Sequence, residues 1–195
     1  MSQALVELVS ANFSDSILAT HAQHGDDTLI IKPEKWFTIH QFLREDARSD
    51  MNMLIDLTAV DFPDREPRFE IVTHLLSLTK GHRLRLKTAV GDEDGEHVVV
   101  ASLTAIWASA NWMERETYDL FGVKFSGHPD LRRILLYPEF EGHPLRKDYP
   151  ADKIQPLVPF REVDNIEKLA PFGPDEGMPF GRQTHSWSTP SKDDD

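Results

Sequence analysis

The chain has 195 residues, no cysteine and a formal net charge of −12. That length favours one domain burying roughly 70% of its unfolded surface. The missing cysteine excludes disulfides, thiolate nucleophiles, zinc–thiolate sites and cysteine-ligated iron–sulfur clusters. The negative charge repels free nucleic acid, and no run approaches the roughly 18–20 apolar residues of a membrane-spanning helix.

In chain order, Leu5, Leu8 and Val9 sit at helical spacing within the first 25 residues, which predicts one helix there. The N-terminus lacks the basic and long apolar regions of a signal peptide. Thr28–Lys32 (TLIIK) reads as a short buried strand. Pro33 suits the first turn of the helix that follows, with Trp36, Ile39, Leu43 and Ala47 as its core stripe. Met53–Phe62 is a buried strand, ended by a turn at Asp61, Pro63 and Asp64. Arg68–Thr79 and His82–Ala89 are two strands joined by a tight turn at Lys80-Gly81. The second alternates Leu84, Leu86 and Thr88 against Arg83, Arg85 and Lys87. Its basic side reads as a solvated or edge face, or as a strip that docks an acidic partner.

Gly91–Glu96 is a polar loop and Ser102–Trp107 a short helix. Asn111 is expected to cap the next helix, with Glu114 reaching back as in a capping box. That helix runs to about Phe121 and ends at Gly122, a natural C-cap. Arg115 and Asp119, four apart, can pair along it. From Glu114 to Asp148 there are seven acidic and six basic residues, a near balance inside an acidic chain. The same segment holds Pro129, Pro138 and Pro144 among its aromatic residues. Arginines and aromatics on rigid turns are what a polar interface favours. After Pro150 the composition changes. Residues 151–195 hold six of the thirteen prolines, and only 13 of 45 residues are apolar. With Phe160, Phe172, Phe180 and Trp187 spaced along it, this stretch reads as an extended tail lying on another surface.

Candidate chemistry is sparse. Gly-His-Pro occurs twice, at His128 and His143. With Asp130, Glu139, Glu141 or Asp148 these histidines could in principle bind zinc or iron. A separation of fifteen residues with Pro138 between is not the spacing of a compact metal site, and a histidine before proline favours turn structure. Glu116 and Asp119 share one helix face, which does not supply two carboxylates across a cleft. No P-loop, G-x-G-x-x-G, G-x-S-x-G or H-E-x-x-H occurs. From the residues alone, the chain reads as a non-catalytic domain with an adhesive segment and a tail.

Three runs carry a family resemblance: ERETYDLFG (Glu114–Gly122), HPDLRRIL (His128–Leu135) and EGHPLRKDYP (Glu141–Pro150). Together they resemble the signature of the C subunit of NADH:quinone oxidoreductase, the 30-kilodalton subunit family of respiratory complex I. The resemblance implies an α+β fold: a two-layer domain with a mixed sheet packed by helices over residues 1–150, plus an extended C-terminal tail over 151–195. It implies a non-redox structural subunit of a proton-translocating enzyme, with no catalytic residue, metal or cofactor of its own, while the complex uses FMN, iron–sulfur clusters and quinone. The implied partners are the quinone-site D subunit and the cluster-bearing B and I subunits. The implied place is the cytoplasmic side of a bacterial inner membrane, reached only through the complex. Glu114, Arg115, Asp119, Arg132, Arg133, His143, Arg146, Lys147 and Asp148 are the expected interface or loop-locking residues. Related subunits serve membrane-bound hydrogenases and other quinone-linked dehydrogenases, so those remain alternatives.

Overall fold

A computed structural model describes residues 3–92 and 98–157. Phe160, Phe172, Phe180 and Trp187, expected on the tail, lie outside the described residues. In chain order the elements are α1 (Gln3–Phe13), β1 (Ile17–His21), β2 (Thr28–Ile31), α2 (Trp36–Glu45), β3 (Met53–Asp61), β4 (Phe69–Leu76), β5 (Arg83–Val90), β6 (Val99–Ala101), α3 (Ala110–Phe121) and β7 (Lys124–Ser126). Five strands form a mixed sheet in the order β1-β2-β5-β4-β3, and β6 and β7 pair in parallel as a second, two-stranded sheet. Only β2 and β5 run parallel within the large sheet; its other pairs are antiparallel. The domain is therefore α+β with a mixed sheet and helices, as the family resemblance implies.

Strand alternation explains the layering. Leu54 and Leu57 of β3, Phe69, Ile71 and Leu75 of β4, and Leu84 and Leu86 of β5 are buried. They share one core with Leu5 and Val9 of α1 and with Trp36, Ile39 and Leu43 of α2. Burying one large aliphatic side chain contributes about 1.5–3 kcal/mol, so this cluster is the main source of stability. The opposite sheet face carries polar pairs such as Lys87–Glu70 at 2.7 Å and Arg85–Asp26 at 3.0 Å. Inside the core His40 bonds the Trp36 carbonyl through Nδ1 and the Thr73 hydroxyl through Nε2. Burial lowers its pKa to about 4. The ring is therefore neutral, and because a carbonyl only accepts, Nδ1 carries the hydrogen.

Several expectations change at this level. β5 is the central strand of the sheet, not an edge; its basic residues face outward while both of its edges are paired. The α2 stripe stops at Leu43, because the helix ends at Glu45 and Ala47 is exposed. Ser102–Trp107 is a turn, not a helix, closed by the Ile106 and Trp107 N–H groups on the Leu103 carbonyl. The N-cap of α3 is Ser109, which makes no side-chain capping bond. Glu114 points inward instead. The sheet edge at β3 is covered by α3, where Thr117 Oγ1 donates to the Leu57 carbonyl at 3.2 Å and Ser109 Oγ to that of Leu54 at 3.5 Å. Covering an edge in this way removes a strand-pairing hazard.

Candidate functional site

Residues 127–157 contain neither helix nor strand. What gives them one shape is a set of side-chain bonds centred on α3. The C-terminus of any helix leaves four carbonyls without intrahelical partners. In α3 all four are satisfied. The Tyr118 carbonyl accepts from Gly122 N at 2.8 Å and that of Leu120 from Leu145 N at 3.1 Å. The Asp119 carbonyl accepts from His143 Nδ1 at 2.9 Å, and that of Phe121 from Arg146 Nε at 2.6 Å. Three of these four donors come from the segment HPLR, more than twenty residues downstream. The guanidinium also brings positive charge to the negative end of the helix dipole. The fit requires glycine at the cap. Gly122 has φ +78°, and a Cβ there would lie 2.6 Å from both Arg146 Nη2 and the His143 ring.

Asp119 is the second anchor. Its fully buried carboxylate accepts from Ile134 N at 3.0 Å, Leu135 N at 2.8 Å, Leu136 N at 2.8 Å and Arg133 Nη1 at 2.8 Å. Three consecutive N–H groups on one oxygen make an anion-binding nest. Burial pushes this carboxyl up, but the three N–H groups and the Arg133 guanidinium outweigh it and hold it below the ordinary carboxylate range. Arg133 continues to the Gly142 carbonyl at 3.0 Å. The expected Arg115–Asp119 pair does not form. Asp119 faces the interior, and Arg115 donates to the carbonyls of Arg132 at 3.1 Å and Arg133 at 3.2 Å while lying over Trp112.

The third anchor ties the end of the signature to the sheet. Asp61, at the end of β3, accepts two bonds from Arg68, at 2.7 and 2.8 Å, and one from Lys147 N at 2.7 Å. Arg68 also reaches Asp148 at 3.0 Å. Arg68 and Asp61 are both buried. Burial raises the Asp61 carboxyl, yet Arg68 and the Lys147 N–H bring it below its usual value; Arg68 does the same to Asp148. Sequence reasoning placed Asp61 in a turn and Arg68 at the start of a strand, and missed both as anchors. The available signal was an acid closing an apolar strand and a base seven residues on, opening the next.

Each expected site residue therefore has a place. Asp119, Arg133, His143, Arg146, Lys147 and Asp148 lie in the second and third anchors and the helix cap, and Arg115 braces the turn at residues 132–133. Glu114 is buried against the connection that precedes α3, where Leu103 N donates to Oε1 and the Ser102 hydroxyl shares a hydrogen bond with Oε2. Arg132 is exposed and pairs with Asp130 at 3.0 Å. The two Gly-His-Pro histidines are not brought together. His128 Nε2 bonds the Asn111 carbonyl and His143 Nδ1 that of Asp119. Eight residues of helix separate those carbonyls by about 12 Å. Among the described residues no group of three or more His, Asp or Glu side chains could hold a metal ion.

Outside these bonds the segment and α3 carry exposed apolar side chains. Trp112 is 63% exposed and Leu135 61% exposed; Leu145, Ile154 and Leu157 are exposed as well. Segment 151–157 is itself tied back by Gln155, which exchanges two hydrogen bonds with the Glu141 backbone, and by the Tyr137 hydroxyl on the Pro156 carbonyl. A rigid backbone presenting isolated apolar and aromatic side chains suits a docking surface. Among the described residues no helix is long and apolar enough to cross a membrane.

Residues 29–155 match the family described as respiratory-chain NADH dehydrogenase, 30 Kd subunit. The chain is 39% identical over 183 residues to the C subunit of NADH-quinone oxidoreductase from Cereibacter sphaeroides, covering 88% of this chain and 90% of that one. It is 47% identical over 154 residues to the protein of the same name from Rhizobium etli, covering 77% and 75%. Among solved structures, a trypsin-resistant fragment of Nqo5 aligns with a TM-score of 0.55 and 29% identity, covering 67% of this chain and all of the fragment. A chain of the membrane-bound sulfane sulfur reductase, an archaeal respiratory membrane complex, aligns with a TM-score of 0.62 and 25% identity over 86% of this chain and 99% of that one.

Proposed function

The chain belongs to the respiratory-chain NADH dehydrogenase 30 Kd subunit family, and from that premise we propose that it is a non-redox structural subunit of the peripheral arm of NADH:quinone oxidoreductase. It binds its neighbours, chiefly the quinone-site D subunit and also the cluster-bearing B and I subunits, and holds them in register while electrons pass from NADH to quinone. It contributes no catalytic residue and no cofactor to that reaction, and reaches the cytoplasmic face of the membrane through the complex.

One observation carries this reading. The signature residues spend their polar atoms on backbone groups of the same chain, fixing segment 128–149 as a surface before any partner arrives. A surface ordered in advance costs less entropy when it docks, and electron transfer needs neighbours at fixed distances. A second reading rests on the likeness to the sulfane sulfur reductase chain: the same surface serving another membrane-bound respiratory complex.

Affinity purification of the tagged full chain from detergent-solubilised membranes tests both. The first reading predicts that NADH:quinone reductase activity travels with the tag. Capture of a different respiratory activity selects the second, and a chain that carries no oxidoreductase activity contradicts both.

A further inference from the structure

Glu114 stands apart from the other buried acids. Asp61 and Asp119 each face an arginine; Glu114 is fully buried and, among the described residues, meets only neutral hydrogen-bonding groups. Leu103 N donates to Oε1 at 2.6 Å, and Ser102 Oγ lies 2.7 Å from Oε2. Ser102 Oγ in turn lies 2.8 Å from Thr104 Oγ1 and accepts from Thr104 N at 3.2 Å. Thr104 is half-buried, so the chain of oxygens runs from the interior toward water.

Among the described residues, the packed elements offer no counter-charge. On β3, Asp61 is bound to Arg68, and Asp56 is exposed opposite His74. On β7, Lys124 is exposed. On α2, His40 is held by Trp36 and Thr73, and Arg44 and Glu45 are exposed. On α3 itself, Arg115 is committed to carbonyls, Glu116 is exposed and Asp119 holds the nest. In the 128–133 turn, His128 bonds Asn111, Asp130 pairs with Arg132, and Arg133 is bound to Asp119. Residues 98–109 contain no charged side chain. An isolated ion in such a place is costly and takes up a proton instead.

We propose that Glu114, Ser102 and Thr104 form a proton-gated clasp that fastens α3 to the connection following β6. In the closed state Oε2–H donates to Ser102 Oγ, which accepts also from Thr104 N and donates to Thr104 Oγ1, using the full capacity of one hydroxyl. On opening, the proton leaves along the two hydroxyls to water, both hydroxyls turn to donate inward, and a bare carboxylate is left in the core. No heavy atom moves, yet the clasp is weaker. Burial pushes the carboxyl up to about 7, against the downward pull of the Leu103 and Ser102 bonds. The gate thus works near neutrality. The sign follows from linkage: a raised folded-state pKa gives stability that is complete below the unfolded value of 4.5 and is lost as pH rises to about 7. The clasp works in the same way whichever complex the chain joins.

Urea unfolding of the purified full chain from pH 4 to 8 tests it, comparing wild type with Glu114→Gln and Ser102→Ala. The unfolding constant of wild type relative to Glu114→Gln should rise on the order of 100-fold between pH 4.5 and 7, since the amide keeps the shape but cannot titrate. A flat ratio overturns the proposal. Ser102→Ala removes one donor to the carboxylate and should shift the carboxyl titration upward; an unmoved titration removes Ser102 from the clasp. If Glu114→Gln fails to fold, infrared difference spectra of wild type and Ser102→Ala decide. A buried carboxylic-acid carbonyl that titrates near neutrality, and later in Ser102→Ala, supports the clasp; no such band contradicts it.

Discussion

Asp119→Ala is expected to destabilise the domain by roughly 3–5 kcal/mol and to release the 130–145 region while the sheet stays folded. The cost arises because the partners remain after the carboxylate is gone. Three N–H groups, from Ile134, Leu135 and Leu136, and the half-buried Arg133 guanidinium lose their acceptor together. Each orphaned donor costs about 1–3 kcal/mol unless water reaches it. Urea unfolding measures the loss, and limited proteolysis at pH 7 should newly cut within residues 130–145. A loss below about 1 kcal/mol would mean that the nest does not hold the segment. The same site has an acid limb. The Asp119 carboxyl is held below its ordinary value, so its stabilisation is complete above the unfolded value of 3.8 and is lost as pH falls below it. Asp61 and Asp148 shift in the same direction, so the segment should detach in acid before the core melts.

Arg68→Ala is the second large effect, again roughly 3–5 kcal/mol. It strands Asp61 as a buried carboxylate with Lys147 N as its remaining hydrogen-bond donor and the charge of Arg146 nearby, and frees Asp148. Lysine at this position should not rescue, because the two parallel bonds to Asp61 need the guanidinium fork. The double change Asp61→Asn with Arg68→Met should cost less than Arg68→Ala, since it removes both charges instead of exposing one. Thermal unfolding of the three variants measures this; a double variant as damaged as the single one would show that the charge pair is not the cause.

The sequence made β2, β3, β4 and β5 and the helices α1, α2 and α3 legible because burial leaves periodic traces, while the short strands β1, β6 and β7 were not read. Leu84, Leu86 and Thr88 alternate against Arg83, Arg85 and Lys87, and the structure buries the first set. Periodicity does not name neighbours, however. β5 pairs in parallel with β2, Thr28 opposite Arg85, and that crossing of 57 residues put a strand read as a possible edge into the middle of the sheet. Local motifs misled for the same reason. Glu114 sits at capping-box spacing from Asn111, yet its hydrogen-bond partners are Ser102 and Leu103, twelve and eleven residues back. Arg115 and Asp119 share a helix face at four-residue spacing, but Asp119 lies on the buried side. The signature segment has no periodicity. The family resemblance singled out Asp119, Arg133, His143 and Arg146, while, apart from the Arg133–Asp119 pair, their partners are backbone groups 9–25 residues away, which no side-chain pattern records.

The proposed role rests on the exposed apolar side chains that these anchors hold in place. Trp112→Ala combined with Leu135→Asp changes two mostly exposed side chains, of which Trp112 also lies against Arg115. The purified variant should stay folded, losing no more than the roughly 0.5–1 kcal/mol of the exposed Trp112–Arg115 contact. Assembled NADH:quinone oxidoreductase, quantified on a native gel of solubilised membranes, should fall by on the order of 10-fold or more. Wild-type amounts of assembled complex from this folded variant would contradict the docking role assigned to the signature surface.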